Sequence, residues 1–321
     1  MLKSKQFFYM FVLLGLCTLP LGSVYLFSEY YLDVFTKILI LGIMLLGFDI
    51  LAGYTGLVSL GHAMFFGIGG YCAAFLINNG ITNLAVVLIS TLLVTTVIGL
   101  IIGYFSTQTK DIFFVFLTLA FSQFFYLAAF NLTDITGGDN GLTVDAATIG
   151  VPAIWALEIT TPFFFYYIVL FIFICTYLIC LKVIRSPFGK ILVAIRENEE
   201  RVNYLGFNTR NIKIKSYMIS VYFASIAGVL NGIYQNFVSP GMLSWHLSGD
   251  LVLMSVLGGT GTLIGPVLGG AIITILGDEL SSLTENWMVF IGAFFVLTII
   301  YAPNGIMGLL KRIGRTDETI A

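Results

Sequence analysis

The sequence predicts an all-α polytopic membrane protein, and three observations support this fold class. The 321 residues are 58% hydrophobic and 10% charged, with a mean hydropathy of +0.99, whereas soluble domains are typically about a quarter charged. The apolar runs are about 20 residues long, the length that a helix needs to cross the hydrocarbon core. The strands of a membrane barrel would instead alternate in short segments. We therefore expect residues 1–321 to form a single transmembrane domain.

The apolar pattern predicts eight membrane-spanning segments and one longer stretch that glycines interrupt. They are residues 7–27, 34–52, 56–78, 84–105, 112–131, 162–184, 216–236, 286–303 and the interrupted stretch 249–277. At about 1.5 Å per residue, the interrupted stretch is too long for one straight span and too short for two, which predicts two half-helices or a tilted pair. Segment 7–27 has the basic start of a signal peptide but no A-x-A cleavage site, so we expect an uncleaved span.

The basic residues predict the orientation, because short cytoplasmic loops carry an excess of Lys and Arg. Of the fifteen basic residues, eight lie between Lys182 and Lys215, and most others precede the first span or follow the last. Only Lys37 breaks the pattern, and it lies near a helix end where its amine can snorkel to the interface. Both termini are therefore expected to be cytoplasmic. This requires an even number of crossings, and we count about ten membrane segments.

Two Gly-rich elements lie in opposite halves of the chain: the first is GYTGLVSLGHAMFFGIGGY, residues 53–71, and the second is LGGTGTLIGPVLG, residues 257–269. Small residues recur every four positions, as Ser59, Ala63 and Gly67 in the first element and as Gly261, Gly265 and Gly269 in the second. In a helix such residues form one stripe that allows close helix packing. Paired interrupted segments also indicate an inverted repeat whose broken helices line a translocation path. Tight packing alone is the alternative explanation.

Two ionisable residues, Asp49 and His62, are predicted at membrane depth, where such groups are costly unless they face a polar interior. For Asp49 we expect a structural role, accepting hydrogen bonds from backbone N–H groups of the break after Leu51; contact with the solute is the alternative. His62 is expected to be a hydrogen-bonded buried histidine, with a proton carrier as the alternative. The aromatic residues of the first Gly-rich element are candidates either for a gate or for packing: Tyr54, Phe65, Phe66 and Tyr71.

Residues 186–215 form the longest basic loop and contain a predicted amphipathic helix. Ile191, Ile195, Val202 and Leu205 follow helical spacing, and Gly206 supplies a helix end. Such a helix could lie on the lipid surface. However, the three acids Glu197, Glu199 and Glu200 disfavour adhesion to an anionic leaflet and favour a protein partner.

The sequence also argues against several other functions. The only Gly-Lys pair, Gly189-Lys190, is followed by Ile191, so the chain lacks the P-loop that binds ATP. Neither G-x-S-x-G nor H-E-x-x-H occurs, and the four cysteines lie in apolar runs without C-x-x-C spacing. We therefore expect no enzyme activity, no metal site and no cofactor. An ion-coupled secondary transporter is the rival function, although Asp49 and His62 are few charged groups for an ion relay.

Five motifs in the same order resemble the LivM-type permeases of branched-chain amino-acid ABC importers. They are the first Gly-rich element, TGGDNGL (136–142), SPFGKILVAIRENEERVNYLG (186–206), FVSP (237–240) and the second Gly-rich element. The resemblance runs from about residue 40 to the end of the chain. Its implied partners are a LivH-type second permease, two cytoplasmic ATP-binding subunits and a periplasmic solute-binding protein, all in or at the bacterial inner membrane. Similar permeases carry urea or short amides, which remain an alternative, and no nucleic-acid partner is implied.

The resemblance also implies two groups of site residues. The loop at 186–206 resembles the E-A-A-x-x-x-G coupling helix that docks on the ATPases: Glu197 approximately matches the glutamate and Gly206 matches the glycine, whereas Asn198 and Glu199 replace the alanines. The expected coupling residues are Arg196, Glu197, Glu200, Val202, Leu205 and Gly206. The expected residues of the translocation path are Asp49, Tyr54, Ser59, His62, Phe66, Gly67, Gly261 and Gly265.

Overall fold

The computed structural model describes residues 29–151, 155–158, 161–302 and 305–309, and most of them are helical. The predicted span 7–27 lies outside the described residues. The helices are α1 (Glu29–Asp49), α2 (His62–Asn78), α3 (Leu84–Ser106), α4 (Asp111–Asn131), α5 (Thr133–Thr136), α6 (Pro162–Arg185), α7 (Pro187–Tyr204), α8 (Thr209–Gln235), α9 (Trp245–Gly258), α10 (Ile264–Leu283) and α11 (Trp287–Tyr301). Two antiparallel pairs of short strands join β1 (Leu142–Thr143) to β4 (Phe237–Val238) and β2 (Thr148–Val151) to β3 (Trp155–Glu158).

In the described part of the chain, seven helices are long and apolar enough to cross a membrane, which confirms a polytopic all-α protein. The predicted segments 84–105, 112–131 and 162–184 agree with α3, α4 and α6 within one residue at each end. Each of these helices buries only a narrow stripe of its surface. The rest of the surface is apolar, as expected for helices that face lipid.

Several predicted ends differ from those of the structure; segment 34–52, for example, begins at Glu29. Two predicted starts are wrong for local reasons. Segment 56–78 becomes helical only at His62, because Gly56 has a φ of +81° and residues 56–61 form no helix. Ser59 therefore lies outside the helix and does not share a helical stripe with Ala63 and Gly67. Segment 216–236 begins earlier than predicted, at Thr209, where the Asn208 side chain accepts a hydrogen bond from the backbone N–H of Asn211. Basic residues near the start of this helix lower the local hydropathy, so the hydropathy pattern did not include its first turns.

The interrupted stretch 249–277 forms two helices, as predicted, with a break at residues 259–263. Gly259 and Gly261 adopt φ values of +107° and +76° there, which glycine tolerates. Gly261 lies within the break, so the predicted stripe through Gly265 and Gly269 does not include it. The stripe that packs α9 against α10 instead includes Gly258, where an added Cβ would lie 1.7 Å from the carbonyl oxygen of Gly265.

The two Gly-rich elements are not related as an inverted repeat would require. Each is a helix, a break and a returning helix: α1 to α2, and α9 to α10. The two breaks lie at the same end of the bundle, since Asp49 contacts Gly261 there, and Lys37 pairs with Asp278 at 3.9 Å towards the opposite ends of α1 and α10. A two-fold axis in the membrane plane would place the breaks at opposite ends. The prediction of an inverted repeat is therefore wrong for this pair of elements.

Helix α8 forms the centre of the described bundle and packs against α1, α2 and α3. Its contact with α2 depends on glycines. A Cβ added to Gly228 would lie 1.8 Å from the carbonyl oxygen of Phe66, and one added to Gly69 would lie 2.2 Å from that of Ser225. The two backbones are thus close enough that no side chain fits between them. In contrast, α11 has no buried residue along its length.

The substitution Gly228→Ala is expected to destabilise the protein by about 1–3 kcal/mol, because a backbone carbonyl cannot rotate away from the new methyl group. The measurement is the midpoint of thermal unfolding of the purified protein in detergent. The matched control is Gly249→Ala in α9, where an added Cβ meets no atom within 4 Å. Equal midpoints for the two variants would show that the α2–α8 contact is not as close as described.

Candidate functional site

The first break begins with a π-helical turn, Ile50–Tyr54, at the end of α1. Such turns widen the helix by one residue and are frequent at functional sites. Within the turn, a Cβ added to Gly53 would lie 2.4 Å from the backbone nitrogen of Gly261. Only glycine allows the two breaks to approach this closely. The first and second Gly-rich elements therefore meet at Gly53 and Gly261.

The carboxylate of Asp49 joins the two breaks. Asp49 is fully buried, and its Oδ1 and Oδ2 accept hydrogen bonds of 2.7 and 2.9 Å from the backbone N–H groups of Gly261 and Leu263. The predicted role as an acceptor of backbone hydrogen bonds is correct, but the predicted donors are wrong. The N–H groups of Thr55 and Leu57, after Leu51, are instead bonded to backbone carbonyls of the π turn. A single sequence contains no signal that pairs Asp49 with residues more than 200 positions away.

The second break is held in an unusual backbone conformation. Leu263 has φ +61° and ψ −57°, a region that is costly for a residue with a Cβ. The bond from its N–H to Asp49 helps to hold this conformation. The Thr262 hydroxyl donates to the carbonyl of Gly259 at 2.7 Å and accepts from the N–H of Gly265 at 3.1 Å. The start of α10 is thus fixed by Asp49 from outside the break and by Thr262 within it.

Arg196 of α7 contacts the first break at Gly53. Its Nη1 donates a hydrogen bond to the carbonyl oxygen of Gly53. A Cβ added to Gly56 would lie 2.7 Å from Arg196 Cγ, so a side chain at residue 56 would push Arg196 away. We call the set Asp49, Gly53, Gly261, Leu263 and Arg196 the Asp49–Arg196 junction. It joins α7, in the loop of residues 186–215, to both Gly-rich elements.

Helix α7 is kinked rather than continuous. Asn198 has non-helical angles, φ −162° and ψ 98°, and its Oδ1 accepts a hydrogen bond of 2.9 Å from the N–H of Arg201. Asn198 therefore ends a first half, which carries Arg196, and starts a second half. An Asn before a charged run is a typical helix start, and this signal was available in the sequence.

The apolar face of α7 is partly as predicted. Ile195 and Val202 are buried, and Leu192 is buried with them. Leu205, however, is 75% exposed, so its predicted place on the buried face is wrong. It lies beyond the end of the helix beside Tyr204, which is 88% exposed, and near Phe207. We call residues 204–207 the apolar tip. Glu197, Glu200 and Gly206 are also exposed on this loop.

A buried ion pair attaches the second half of α7 to α8. Lys213 Nζ lies 2.7 Å from Glu199 Oε1, and the Lys213 side chain is only 4% exposed. The Thr209 hydroxyl lies 3.1 Å from the same oxygen. Burial alone would raise the pKa of Glu199, but the hydrogen bond and charge of Lys213, with the Thr209 hydrogen bond, outweigh burial and lower it. The sequence pattern of residues 186–215 is that of a basic loop and contains no signal that Lys213 is buried.

His62 is buried where α1, α2 and α8 meet. Its Nε2 lies 2.5 Å from the Ser220 hydroxyl, and its ring packs edge-on against Phe48 and Tyr217, with centroids 5.1 and 6.4 Å away. One turn earlier on α8, Ser216 lies 2.7 Å from the hydroxyl of Thr55. His62 is thus a buried histidine that is hydrogen-bonded through Nε2, whereas its buried Nδ1 meets no hydrogen-bond partner among the described residues. Ser216 and Ser220 are four residues apart in the sequence, a spacing that predicts a polar face on α8.

The remaining predicted path residues lie on both sides of the first break. Ser59 is buried and accepts a hydrogen bond of 3.1 Å from the N–H of Gly61. Phe66 and Gly67 are buried in α2, away from the junction, and a Cβ on Gly67 would lie 2.4 Å from Leu243. Tyr54 and Gly261 are partly exposed, and Gly265 is buried. Among the described residues, no cluster of three or more His, Cys, Asp or Glu side chains could hold a metal ion.

We expect Asp49→Asn to destabilise the protein by about 1–3 kcal/mol, because an amide nitrogen cannot accept a hydrogen bond and leaves one buried N–H of the second break unpaired. Thermal unfolding in detergent measures the effect. Asp145→Asn is the control, since it makes the same change at an exposed site. A shift no larger than that of the control would contradict the assigned role.

Three comparisons with known proteins bear on this arrangement. A family model described as "Branched-chain amino acid transport system / permease component" matches residues 30–299. The high-affinity branched-chain amino acid transport system permease protein LivM of Escherichia coli (strain K12) is 26% identical over 96% of this chain and 76% of its own length. A probable branched-chain amino acid transport permease protein LivM of Methanocaldococcus jannaschii is 27% identical over 76% of this chain and 78% of its own length.

The chain is also similar to permease proteins of branched-chain amino acid transport that are named LivH. The LivH permease protein of Escherichia coli (strain K12) is 30% identical over 38% of this chain and 40% of its own length. No solved structure matches the chain. Since the family model covers most of the sequence, and the described helices within it are those of a multi-pass membrane protein, the chain belongs to the branched-chain amino acid transport system permease family.

Proposed function

We propose that the chain is the membrane-spanning permease subunit of an ABC importer and forms the translocation path for branched-chain amino acids. Its partners would be a LivH-type permease, two ATP-binding subunits and a periplasmic solute-binding protein. The observation that carries this proposal is the Asp49–Arg196 junction, where Arg196 of α7 contacts Gly53 and Asp49 contacts Gly261 and Leu263. A surface loop is thereby connected directly to both interrupted helices.

The proposed topology has ten membrane segments, with both termini on the cytoplasmic side of a bacterial inner membrane. Nine of the segments would be α1 to α4, α6 and α8 to α11, with 7–27 as the first. Helices α9 and α10 would enter from the periplasmic side and return, as the position of their break near α7 supports. The basic residues of 182–215 would then lie inside, in agreement with the positive-inside rule.

The translocation path is proposed to run past the two breaks. Tyr54 and Gly261 are the candidates for direct contact with the solute, because they are only partly buried. Asp49, Ser59, His62, Phe66, Gly67 and Gly265 would form and support the wall of the path. Asp49 and His62 both make hydrogen bonds within the bundle, which disfavours the ion relay that a secondary transporter would need.

Coupling would begin at the exposed part of α7. The apolar tip, which includes Gly206, and the exposed Glu197 and Glu200 of the same loop offer a surface on which an ATP-binding subunit could dock. An exposed tyrosine such as Tyr204 is a typical anchor of protein interfaces. ATP binding and hydrolysis in the partners would move α7. The motion would reach the first break through Arg196 and the bundle through the Glu199–Lys213 pair, so that the path opens first outward and then inward.

Uptake into proteoliposomes tests the function. The chain, reconstituted with its candidate partner subunits, is expected to take up labelled leucine only when ATP is inside and the binding protein is outside. Labelled urea is expected not to accumulate. ATP-dependent uptake of urea without leucine would establish the amide-type alternative, and uptake that follows an ion gradient without ATP would overturn the importer.

A second prediction concerns coupling. Arg196→Ala is expected to reduce leucine uptake by about tenfold while assembly and ATP hydrolysis by the partner subunits persist, since a hydrogen bond from a charged group contributes about 1.5 kcal/mol or more. The control is Arg201→Ala, which removes an exposed arginine from the second half of the same helix. Equal uptake by the two variants, or a parallel loss of ATP hydrolysis, would contradict transmission through Arg196.

A further inference from the structure

A groove lies between α3 and α8 at the end of the bundle that carries α7. It has a volume of about 370 Å³ and is lined by Leu100, Ile101, Tyr104, Phe105 and Ile214. The four α3 residues among them are each about half exposed. Nothing in the described part of the chain covers this groove. Because these helices belong to a membrane protein, the groove opens towards the lipid rather than towards water.

A second groove lies further along α3 and α8, towards the middle of the bundle, and Ile179 of α6 also lines it. It has a volume of about 440 Å³, and its lining includes Leu93 and Thr96 of α3 and Ile219 and Tyr222 of α8. From Phe105 back to Ile89, the α3 residues that line the two grooves span about 24 Å along the helix axis. One leaflet of a membrane has a hydrocarbon depth of about 15 Å, half of the whole core. The two grooves together are thus long enough to cover the depth of one leaflet.

The side chain of Arg210 lies at the end of these grooves that is nearer to α7. The guanidinium carbon of Arg210 lies 4.1 Å from the centre of the Tyr104 ring, and Arg210 Nη2 donates to the carbonyl oxygen of Tyr104 at 3.4 Å. Neither of the ion pairs found among the described residues includes Arg210. A guanidinium has five N–H donors, so most of them remain available to an anion. Tyr104 and Ile214, which flank Arg210, also line the groove.

We propose that this groove binds an anionic phospholipid, with an acyl chain along α3 and α8 and the phosphate at Arg210. Charge complementarity selects this occupant: an unpaired arginine is fixed at the level of the head groups, directly above an apolar channel of leaflet depth. The stacking on Tyr104 holds the guanidinium in place before the lipid arrives. A helix of a partner protein would fill the apolar groove without a need for the cation. This site is separate from the Asp49–Arg196 junction and goes beyond the transport function proposed above.

Native mass spectrometry of the full-length chain, purified with its co-purifying subunits, tests the proposal. The sample is placed in nanodiscs of phosphatidylcholine with or without phosphatidylglycerol, and bound lipids are counted after release. Phosphatidylglycerol is expected to remain bound in preference to phosphatidylcholine. Arg210→Gln is expected to reduce its retention about fivefold, the effect of one basic residue at a membrane surface. The matched control is Arg185→Gln, which removes an exposed arginine at the end of α6.

A second variant tests the groove independently of the charge. Leu100→Trp fills the apolar channel but leaves Arg210 unchanged, and it is expected to reduce phosphatidylglycerol retention as well. The proposal is overturned if Arg210→Gln and Arg185→Gln lose the same amount of lipid, or if both lipids are retained equally. Cross-linking of Ile101→Cys to a partner permease in the assembled complex would also overturn it, because a protein would then occupy the groove.

Discussion

The arrangement of the described helices depends on one buried carboxylate. Asp49 ends α1 and accepts hydrogen bonds from two N–H groups of the break between α9 and α10. A break in a membrane helix leaves backbone N–H groups without their helical partners, and those that are buried must find a partner within the protein. Asp49 supplies partners for two of them, and its negative charge strengthens both bonds. The two Gly-rich elements consequently meet at one point, and Gly53 and Gly261 are glycines because no side chain fits there.

This point of contact explains how a loop outside the membrane could influence helices inside it. Arg196 holds Gly53 from the first half of α7, and Glu199 holds Lys213 of α8 from the second half. The kink at Asn198 separates the two attachments, so the halves of α7 are bound to different parts of the bundle. The Arg196 contact connects α7 to the breaks, and the Glu199 contact connects it to the central helix α8. A rigid, continuous helix would move both together.

The central helix α8 has a different physical basis from the junction. Its contact with α2 depends on close approach at Gly69 and Gly228 and on polar contacts such as the one between His62 and Ser220. Interhelical packing in lipid lacks a hydrophobic driving force, so small residues and buried hydrogen bonds provide the association. The outer helices follow another pattern: α11 buries no residue, and α3 presents an apolar groove to the lipid. The bundle thus has a tightly packed centre and a lipid-exposed periphery.

The sequence by itself determined the features that depend on composition and local pattern. The length of apolar runs predicted the helices α3, α4 and α6, and the glycines of 249–277 predicted its two half-helices, because hydrocarbon thickness and glycine geometry act locally. The motif order predicted the family. The tertiary structure alone decided the partners of Asp49, Arg196 and Lys213, which are distant in sequence. It also decided that both breaks lie at the same end of the bundle, which excludes the inverted relation expected from their positions in the two halves. Hydrogen bonds between distant segments leave no periodic signal in a single chain, so only the packed bundle reveals them.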